Sequence, residues 1–401
     1  MTGYDAVIVG GRCAGSALAI PLARSGASVL MLDKEELGSD TISTHVVFPN
    51  TLVRLEELGV LERIRARHRL YPLEHLARIL GREVAGTFSP IGGFDRALGP
   101  RRPVLDRALA EAAMDAGAEG RFGVRVSHLI GSGTDADPIR GVELEDGTRI
   151  EAPWVIGADG RASFVARSLG LPKRDPISSD LSLLFAYWRG IPPRDYFSVD
   201  MREDLGLSCV TCEDGIQLLI AFGPPEFTRG TAETRRDRYL GAIREFPEIF
   251  DPAWLADAEM ITEIRVVPET MLRGFFRPAA GPGWALIGDA GHFKHPATAQ
   301  GIGDAIEQAR YVADALHSGD PELTGYEQWR DARAAGHYEW SFSYGSIPKP
   351  ELAGPIFDGL AADDEAAQDF RDVFSRARHP REAISKERLG RWFAQYAPER
   401  G

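Results

Sequence analysis

Lysine is nearly missing from this chain: Lys34, Lys173, Lys294, Lys349 and Lys386 are its only five among 46 basic residues in 401. Arginine supplies the rest, a bias of genomic base composition. No basic tract occurs and the formal net charge is −13, which argues against a nucleic-acid partner. Cysteine is also scarce. Cys13, Cys209 and Cys212 do not make a disulfide framework, so a reducing cytoplasm is expected. Cys209 and Cys212 form a C-x-x-C on a strand-like run, where residues three apart face opposite sides. No second pair completes a zinc site, and no metal is expected. No apolar run approaches the ~20 residues of a membrane-spanning helix. The first apolar run has no basic region before it, so a signal peptide is not expected. Repeats and low-complexity segments are absent as well. What remains is a hydrophobic content of 44% and a charged content of 26%, the balance of a globular protein. The length is enough for two closely packed domains.

The chain is organised around its first thirty-odd residues. Residues 4–9 form a β-branched apolar run, followed by Gly10-Gly11-Arg12-Cys13-Ala14-Gly15. An Ala/Leu-rich segment then runs to Arg24, and a second apolar run, 27–32, ends on Asp33. Strand, glycine turn, helix, strand and acid in this order are the dinucleotide-binding βαβ unit. Gly10 lets the chain leave the strand sharply, and Gly15 lets the helix lie close to the sheet. The N–H groups between them face a pyrophosphate at a helix start. Asp33 is placed to accept hydrogen bonds from ribose hydroxyls. Arg12 stands where the fingerprint has its middle glycine, and Pro21 removes one helix hydrogen bond, so a kink is expected there.

Downstream, 52–67 has helical spacing broken at Gly59, residues 71–100 read as short strands and turns, and 107–115 as a helix. Residues 121–129 read as one strand, 141–150 as a hairpin and 152–156 as a buried strand. That strand runs into Gly157-Ala158-Asp159-Gly160-Arg161-Ala162-Ser163. From 181 to 222 the pattern alternates, as in an antiparallel sheet. The chain then returns to its first pattern: a strand at 284–287, Gly288-Asp289-Ala290-Gly291-His292, and a helix opened by Pro296 through Asp304. The remainder reads as mostly helical, with a Gly/Pro-rich break near 345–359. His292 and His295 are three apart with no further ligand cluster, and His292 is read as a structural hydrogen-bonding residue.

Three motifs in order, the opening glycine turn, G-A-D-G-x-x-S and G-D-A-x-H-x-x-x-P-x-x-x-x-G, resemble those of the flavoprotein monooxygenases of the p-hydroxybenzoate hydroxylase type. The same layout occurs in flavin-dependent halogenases and geranylgeranyl reductases, and the resemblance covers roughly residues 4–316. It implies an α/β fold: a Rossmann-type FAD-binding domain (1–173 and 265–320), an inserted, mostly antiparallel substrate sheet (174–264) and a helical C-terminal region (321–401). It implies that residues 10–15, Asp33 and the adjoining Lys34 hold the ADP half of FAD. Arg102 would meet its phosphates, and Val126 would lie where the family's backbone meets adenine. Asp159 and Gly160 would support the pyrophosphate and a visiting nicotinamide cofactor. Asp289 would bind the ribityl chain. Gly301, Ile302 and Gly303 would open a helix whose N–H groups face the flavin edge and stabilise the anionic reduced ring. Ser43-Thr44-His45 falls where family members approach the isoalloxazine, which makes Thr44 a flavin contact and His45 the one candidate for proton management. Pro296 would lie near the substrate. The aromatic residues Phe185, Tyr187, Trp188 and Phe222 are read as walls for a flat apolar ligand.

The expected reaction is oxygenation of an aromatic or polyketide-like small molecule by O2 through a flavin C4a-hydroperoxide. Two alternatives stand beside it: an FAD-dependent reductase or dehydrogenase of the geranylgeranyl reductase branch, and a flavin-binding protein without turnover. Departures from the hydroxylase pattern keep the second reading open. Ala299 stands where many hydroxylases have glycine, and Gly303 where they have asparagine. Halogenation is disfavoured, because no lysine lies between Lys34 and Lys173 and only one tryptophan of W-x-W-x-I-P is present. Nothing resembles a second dinucleotide fold. NAD(P)H therefore visits without a domain of its own, or a partner flavin reductase supplies reduced flavin.

Overall fold

The computed structural model of the protein describes residues 3–43, 45–320 and 323–396. Its first strand, Ala6–Val9, is buried along its whole length, with three helices against one face and the strands Val126–Leu129, Gly141–Leu144 and Arg149–Glu151 against the other. It is an inner strand of a six-stranded sheet, paired in parallel with Val29–Asp33 on one side and Trp154–Gly157 on the other. Glu119–Phe122 extends one edge, and Trp284–Leu286 with Ala280–Gly281 extends the other. The helices Cys13–Arg24, Arg102–Asp115 and Gly301–His317 share one apolar cluster with this sheet. Helix Cys13–Arg24 runs through Pro21 without ending there. The expected single strand over 121–129 is two strands in different sheets, Glu119–Phe122 and Val126–Leu129. They separate at Gly123, whose φ is +71°.

The second sheet has eight strands. Ser182–Arg189, Gln217–Gly223, Leu205–Thr211 and Tyr196–Arg202 are antiparallel neighbours, as the alternation implied. Three strands from outside residues 174–264 join this sheet. Strands Glu74–Ile79 and Arg82–Gly86, assigned by sequence to the first domain, complete this second sheet, with Glu74–Ile79 pairing in parallel with Tyr196–Arg202. Arg265–Val267 also belongs to it, paired with Ser182–Arg189. The pairing of 74–79 with 196–201 spans about 120 residues of sequence, a distance that local pattern does not bridge.

This sheet is covered on both faces. Leu184, Ala186 and Trp188 pack on helix Ala232–Arg244. Phe185, Tyr187 and Phe222 turn the other way, toward an aromatic cluster that includes Trp340, Phe357, Phe370 and Phe374. Those residues come from the C-terminal helices Tyr326–Tyr344, Pro350–Ala361 and Asp364–Phe374. The break between helices is confined to 345–349. The stretch expected to stay open to 359 is helical, because Pro350 sits in a first turn, where its missing N–H costs nothing.

Candidate functional site

The C-terminal ends of the parallel strands point into a cavity of about 690 Å³. Gly10 begins it. Its φ of +109° turns the chain out of Ala6–Val9, and a Cβ there would sit 2.4 Å from the Ala158 carbonyl oxygen. Gly15 lets the following helix touch this turn, since a Cβ would lie 1.9 Å from the Gly10 carbonyl oxygen. Gly10, Arg12, Cys13 and Ala14 line the cavity. Gly11 and Gly15 lie behind them, Gly11 against the Phe122 ring. Asp33 accepts from the Gly11 N–H at 2.8 Å and from the Glu35 N–H at 2.9 Å, so this carboxylate also ties the glycine turn to the end of its strand. Asp33, Lys34 and Val126 form one end of the wall.

Arg102 opens helix Arg102–Asp115 and reaches the same wall. Its Nε and Nη2 donate to Asp106 at about 3 Å. The buried Asp106 carboxylate also accepts from the Cys13 thiol at 2.9 Å and stands 4.0 Å from Arg12 Nη1. Asp106 thus gathers two guanidinium groups beside the glycine turn, and burial pushes the Cys13 thiol well above its usual range. Arg12 Nη1 is buried without a hydrogen-bond partner.

Asp159 follows strand Trp154–Gly157. One carboxylate oxygen accepts from the Phe164 and Val165 N–H groups at 2.6 and 3.2 Å, and the other is buried and unpartnered. Burial raises its pKa. Gly160, at φ +74°, continues the wall. Asp289 lines the same cavity, its carboxyl pushed up to about 6 by burial despite the nearby Arg102 and Arg161 guanidinium groups. The long helix Gly301–His317 begins beside it with no side-chain cap, and Gly301 and Ile302 face the cavity. Gly303 is on the other side, where a Cβ would meet Thr51 Oγ1 at 2.4 Å. Close packing of helix Pro49–Glu57 therefore accounts for that glycine.

A second cavity, of about 480 Å³, adjoins the first. Leu183, Ile220, His295, Pro296 and Ala299 line both. Phe185 faces the first cavity and Phe222 the second. Ala299 has φ +48°, so the alanine at this family glycine position holds a left-handed conformation at a cost of roughly 1 kcal/mol. His295 is buried, with Nδ1 accepting from the Ala297 N–H and Nε2 paired with the Ser179 hydroxyl at 3.1 Å. Burial lowers its pKa to about 3.

Three expectations are corrected here. Trp188 is on the opposite face from Phe185, because it is three residues further along the strand; its indole N–H donates to the Tyr239 hydroxyl at 2.9 Å. Tyr187 shares the face of Phe185 but is buried away from both cavity walls, bonded to His45 and under the Arg101 guanidinium. His45 is fully buried at φ +61°, also off the walls, and burial together with Arg102 and Arg101 pushes its pKa well below normal. It is a neutral ring behind the cavity, not a proton carrier at its surface. Thr44 lies outside the described residues.

Sequence reasoning missed one cluster. Lys294, fully enclosed at the first cavity, donates to Gln300 Oε1 at 3.1 Å and is paired with Asp304. Arg376, from the C-terminal region, pairs with the other oxygen of Asp304. Burial and Arg376 lower the Lys294 ammonium to about 7. With Lys294 protonated, two cations on one carboxylate leave a net positive charge at this wall. The available signal was a lysine kept beside a glycine motif in a chain that almost always uses arginine. Cys209 and Cys212 belong to apolar clusters on opposite faces of the sheet, and burial pushes the Cys209 thiol up to about 12. His292 stacks on Phe276 at 4.5 Å.

Residues 3–189 match the FAD binding domain family. The menaquinone reductase of Mycolicibacterium smegmatis is 25% identical over 85% of this chain and 83% of its own length. The 6-methylpretetramide 4-monooxygenase of Streptomyces rimosus is 27% identical over 82% of this chain and 79% of its own. A flavoprotein/dehydrogenase from Cytophaga hutchinsonii shares the fold with a TM-score of 0.78 at 17% identity, over 96% of both chains. No helix among the described residues is long and apolar enough to cross a membrane.

Proposed function

We propose that the chain is an FAD-dependent flavoprotein of the p-hydroxybenzoate hydroxylase type, and a monooxygenase that inserts one atom of O2 into an aromatic or polyketide-like small molecule. The first cavity is suited to FAD. Its glycine turn leaves no room for a Cβ, Asp159 and Arg12 hold buried unpartnered polar atoms, and an uncapped helix start lies beside Asp289. Residues 10–15 and Asp33, with Arg12 and Arg102, would hold the ADP half, and Asp159–Gly160 the pyrophosphate. Asp289 would take the ribityl hydroxyls, and Gly301 and Ile302 would offer N–H groups to the ring edge. The net positive charge of Lys294, Arg376 and Asp304 would favour an anionic ring.

FAD, once reduced, supplies the activation of O2 and the transfer of one oxygen atom, the other leaving as water with two electrons and two protons. The chain's own share is to orient the ligand across the wall made by Leu183, Ile220, Pro296 and Ala299 and to keep that wall dry. One observation carries oxygenation over C=C reduction. Hydride addition to a double bond requires a proton donor at the reacting carbon. On the wall common to both cavities the only titratable described residue is His295, held neutral with both ring nitrogens engaged, and Lys294 of the first cavity is tied to Gln300 and Asp304. NAD(P)H would donate the electrons as a visitor, or a flavin reductase would deliver reduced flavin. The second sheet, with the C-terminal helices, would act as the substrate-binding domain.

The test is mass spectrometry of product formed under ¹⁸O2 by FAD-loaded protein. Incorporation of one labelled atom is expected. Full turnover under argon, with no label in air, transfers the assignment to the reductase reading that the mycobacterial relative's name represents.

A further inference from the structure

We propose that the second cavity is a chamber for an uncharged, ring-bearing apolar molecule carrying a hydroxyl or carbonyl, admitted through the helix break at residues 343–353. The proposal rests on the flavoenzyme reading above and gives its substrate a charge class and a route.

The chamber volume suits a drug-sized ligand. Its body is aromatic and aliphatic, with Phe48, Phe197, Phe222, Trp340, Phe370 and Phe374 among its walls. Half of that wall is C-terminal, so the helical tail is part of the binding site. Asp180 and Lys349 are the only charged described residues on it, and both are exposed at the rim. His295 remains neutral. No guanidinium or ammonium group waits inside for a carboxylate, sulfonate or phosphate, and burying such an anion unpaired is strongly unfavourable. Ser343 and Ser346 carry hydroxyls at the rim, and two more interrupt the apolar surface inside. Ser208 presents one from strand Leu205–Thr211. The Tyr344 hydroxyl is buried without a partner. An unpartnered buried hydroxyl is satisfied by a ligand oxygen, which specifies a polar handle on an otherwise apolar molecule.

The route follows from the same residues. Helix Tyr326–Tyr344 stops at Gly345, and Pro350–Ala361 starts after Lys349. The five-residue connection, with Leu352, Ala353 and Ile356 of the next helix, forms the chamber's outer rim. Leu352 is 50% exposed there, one of two exposed large hydrophobic side chains among the described residues. The exposed residues on the first cavity's wall, among them Lys34, Glu35, Ile42, Arg125 and Arg167, are all absent from the second cavity's wall. Cofactor and substrate therefore have separate doors, and the substrate can exchange while the cofactor stays.

The test titrates FAD-loaded protein with a monohydroxyanthraquinone and with the same ring system bearing a sulfonate. Occupancy is read by quenching of Trp340, with Trp340→Phe as the blank. The neutral probe should bind at least tenfold more tightly. Ala353→Trp should slow its association several-fold while FAD content stays unchanged; Leu352→Glu, at an exposed position, gives the same readout should Ala353→Trp fail to fold. Equal or tighter binding of the sulfonate overturns the charge class, and unchanged association in the rim variants overturns the route. Tryptophan quenching does not need flavin. Protein that binds the neutral probe but never FAD refutes the flavoenzyme reading and leaves the chamber standing.

Discussion

One substitution made at two sites should have opposite signs. Gly15 and Gly241 both lie within helices, Cys13–Arg24 and Ala232–Arg244. In an open helical position Gly→Ala stabilises by roughly 0.5–1 kcal/mol, because alanine has less backbone freedom to lose. Gly241 is such a position, with no atom within 4 Å of the added carbon, so Gly241→Ala should raise Tm slightly. At Gly15 the same methyl would stand 1.9 Å from the Gly10 carbonyl oxygen and 2.9 Å from Ile8 Cγ2. The first obstacle is backbone, and no rotamer change removes it. The helix must retreat from the strand by more than about 1 Å, an overpacking cost of roughly 1–3 kcal/mol or more that exceeds the propensity gain. Its N-terminus retreats with it, from the place where the pyrophosphate would sit. Gly15→Ala should therefore melt several degrees lower and lose FAD on gel filtration, followed as the ratio of absorbance at 450 and 280 nm. A Gly15→Ala protein that keeps its flavin and its Tm refutes the close-contact argument, as would equal shifts in the two variants.

Asp289 gives a pH prediction. Its folded pKa of about 6 lies above the usual 3.8, so the folded flavin-free protein binds a proton more tightly than the unfolded chain. Its contribution is thus most favourable at low pH and declines as pH rises from about 4 to 6, by roughly 2–3 kcal/mol. Denaturant titrations of the apoprotein should show Asp289→Asn gaining on the parent over that window; a difference independent of pH would contradict the burial of this carboxyl. On the second sheet, Trp188→Phe should cost about 1 kcal/mol of stability through the hydrogen bond lost by Tyr239, with KM unchanged. Phe185→Ala should raise KM or alter product distribution, and the reverse pattern in these two steady-state assays would exchange their faces.

The glycine turn, Asp33 and the helix after Pro296 were legible because each is a local device: a turn, a close approach and a helix start lie within a few neighbouring residues. The antiparallel core of the second sheet was legible for the same reason. Trp188 was misjudged because strand Ser182–Arg189 is buried on both faces, and apolar residues on both sides leave no pattern to mark which one meets the ligand. Arg376 on Asp304, Glu74–Ile79 beside Tyr196–Arg202, and the tail helices over the chamber all join distant segments. No single stretch of sequence carries such a junction. His45 was misjudged as reactive for a related reason: its neutrality comes from enclosure by Tyr187 and two arginines, none of them adjacent in sequence.

The parallel pairing of Glu74–Ile79 with Tyr196–Arg202 has a consequence for biosynthesis. As the chain leaves the ribosome, the hairpin of Glu74–Ile79 and Arg82–Gly86 emerges more than a hundred residues before its partner strand. Until then one flank of Glu74–Ile79 is an unpaired edge, with Ala77 and Ile79 lacking the cover they have in the finished fold. At ordinary translation speeds that delay lasts roughly 6–25 s, long compared with hairpin formation. The nascent protein thus has a vulnerable interval set by its topology, and a nascent chain arrested before residue 196 should associate with holdase chaperones far more than one arrested after 223.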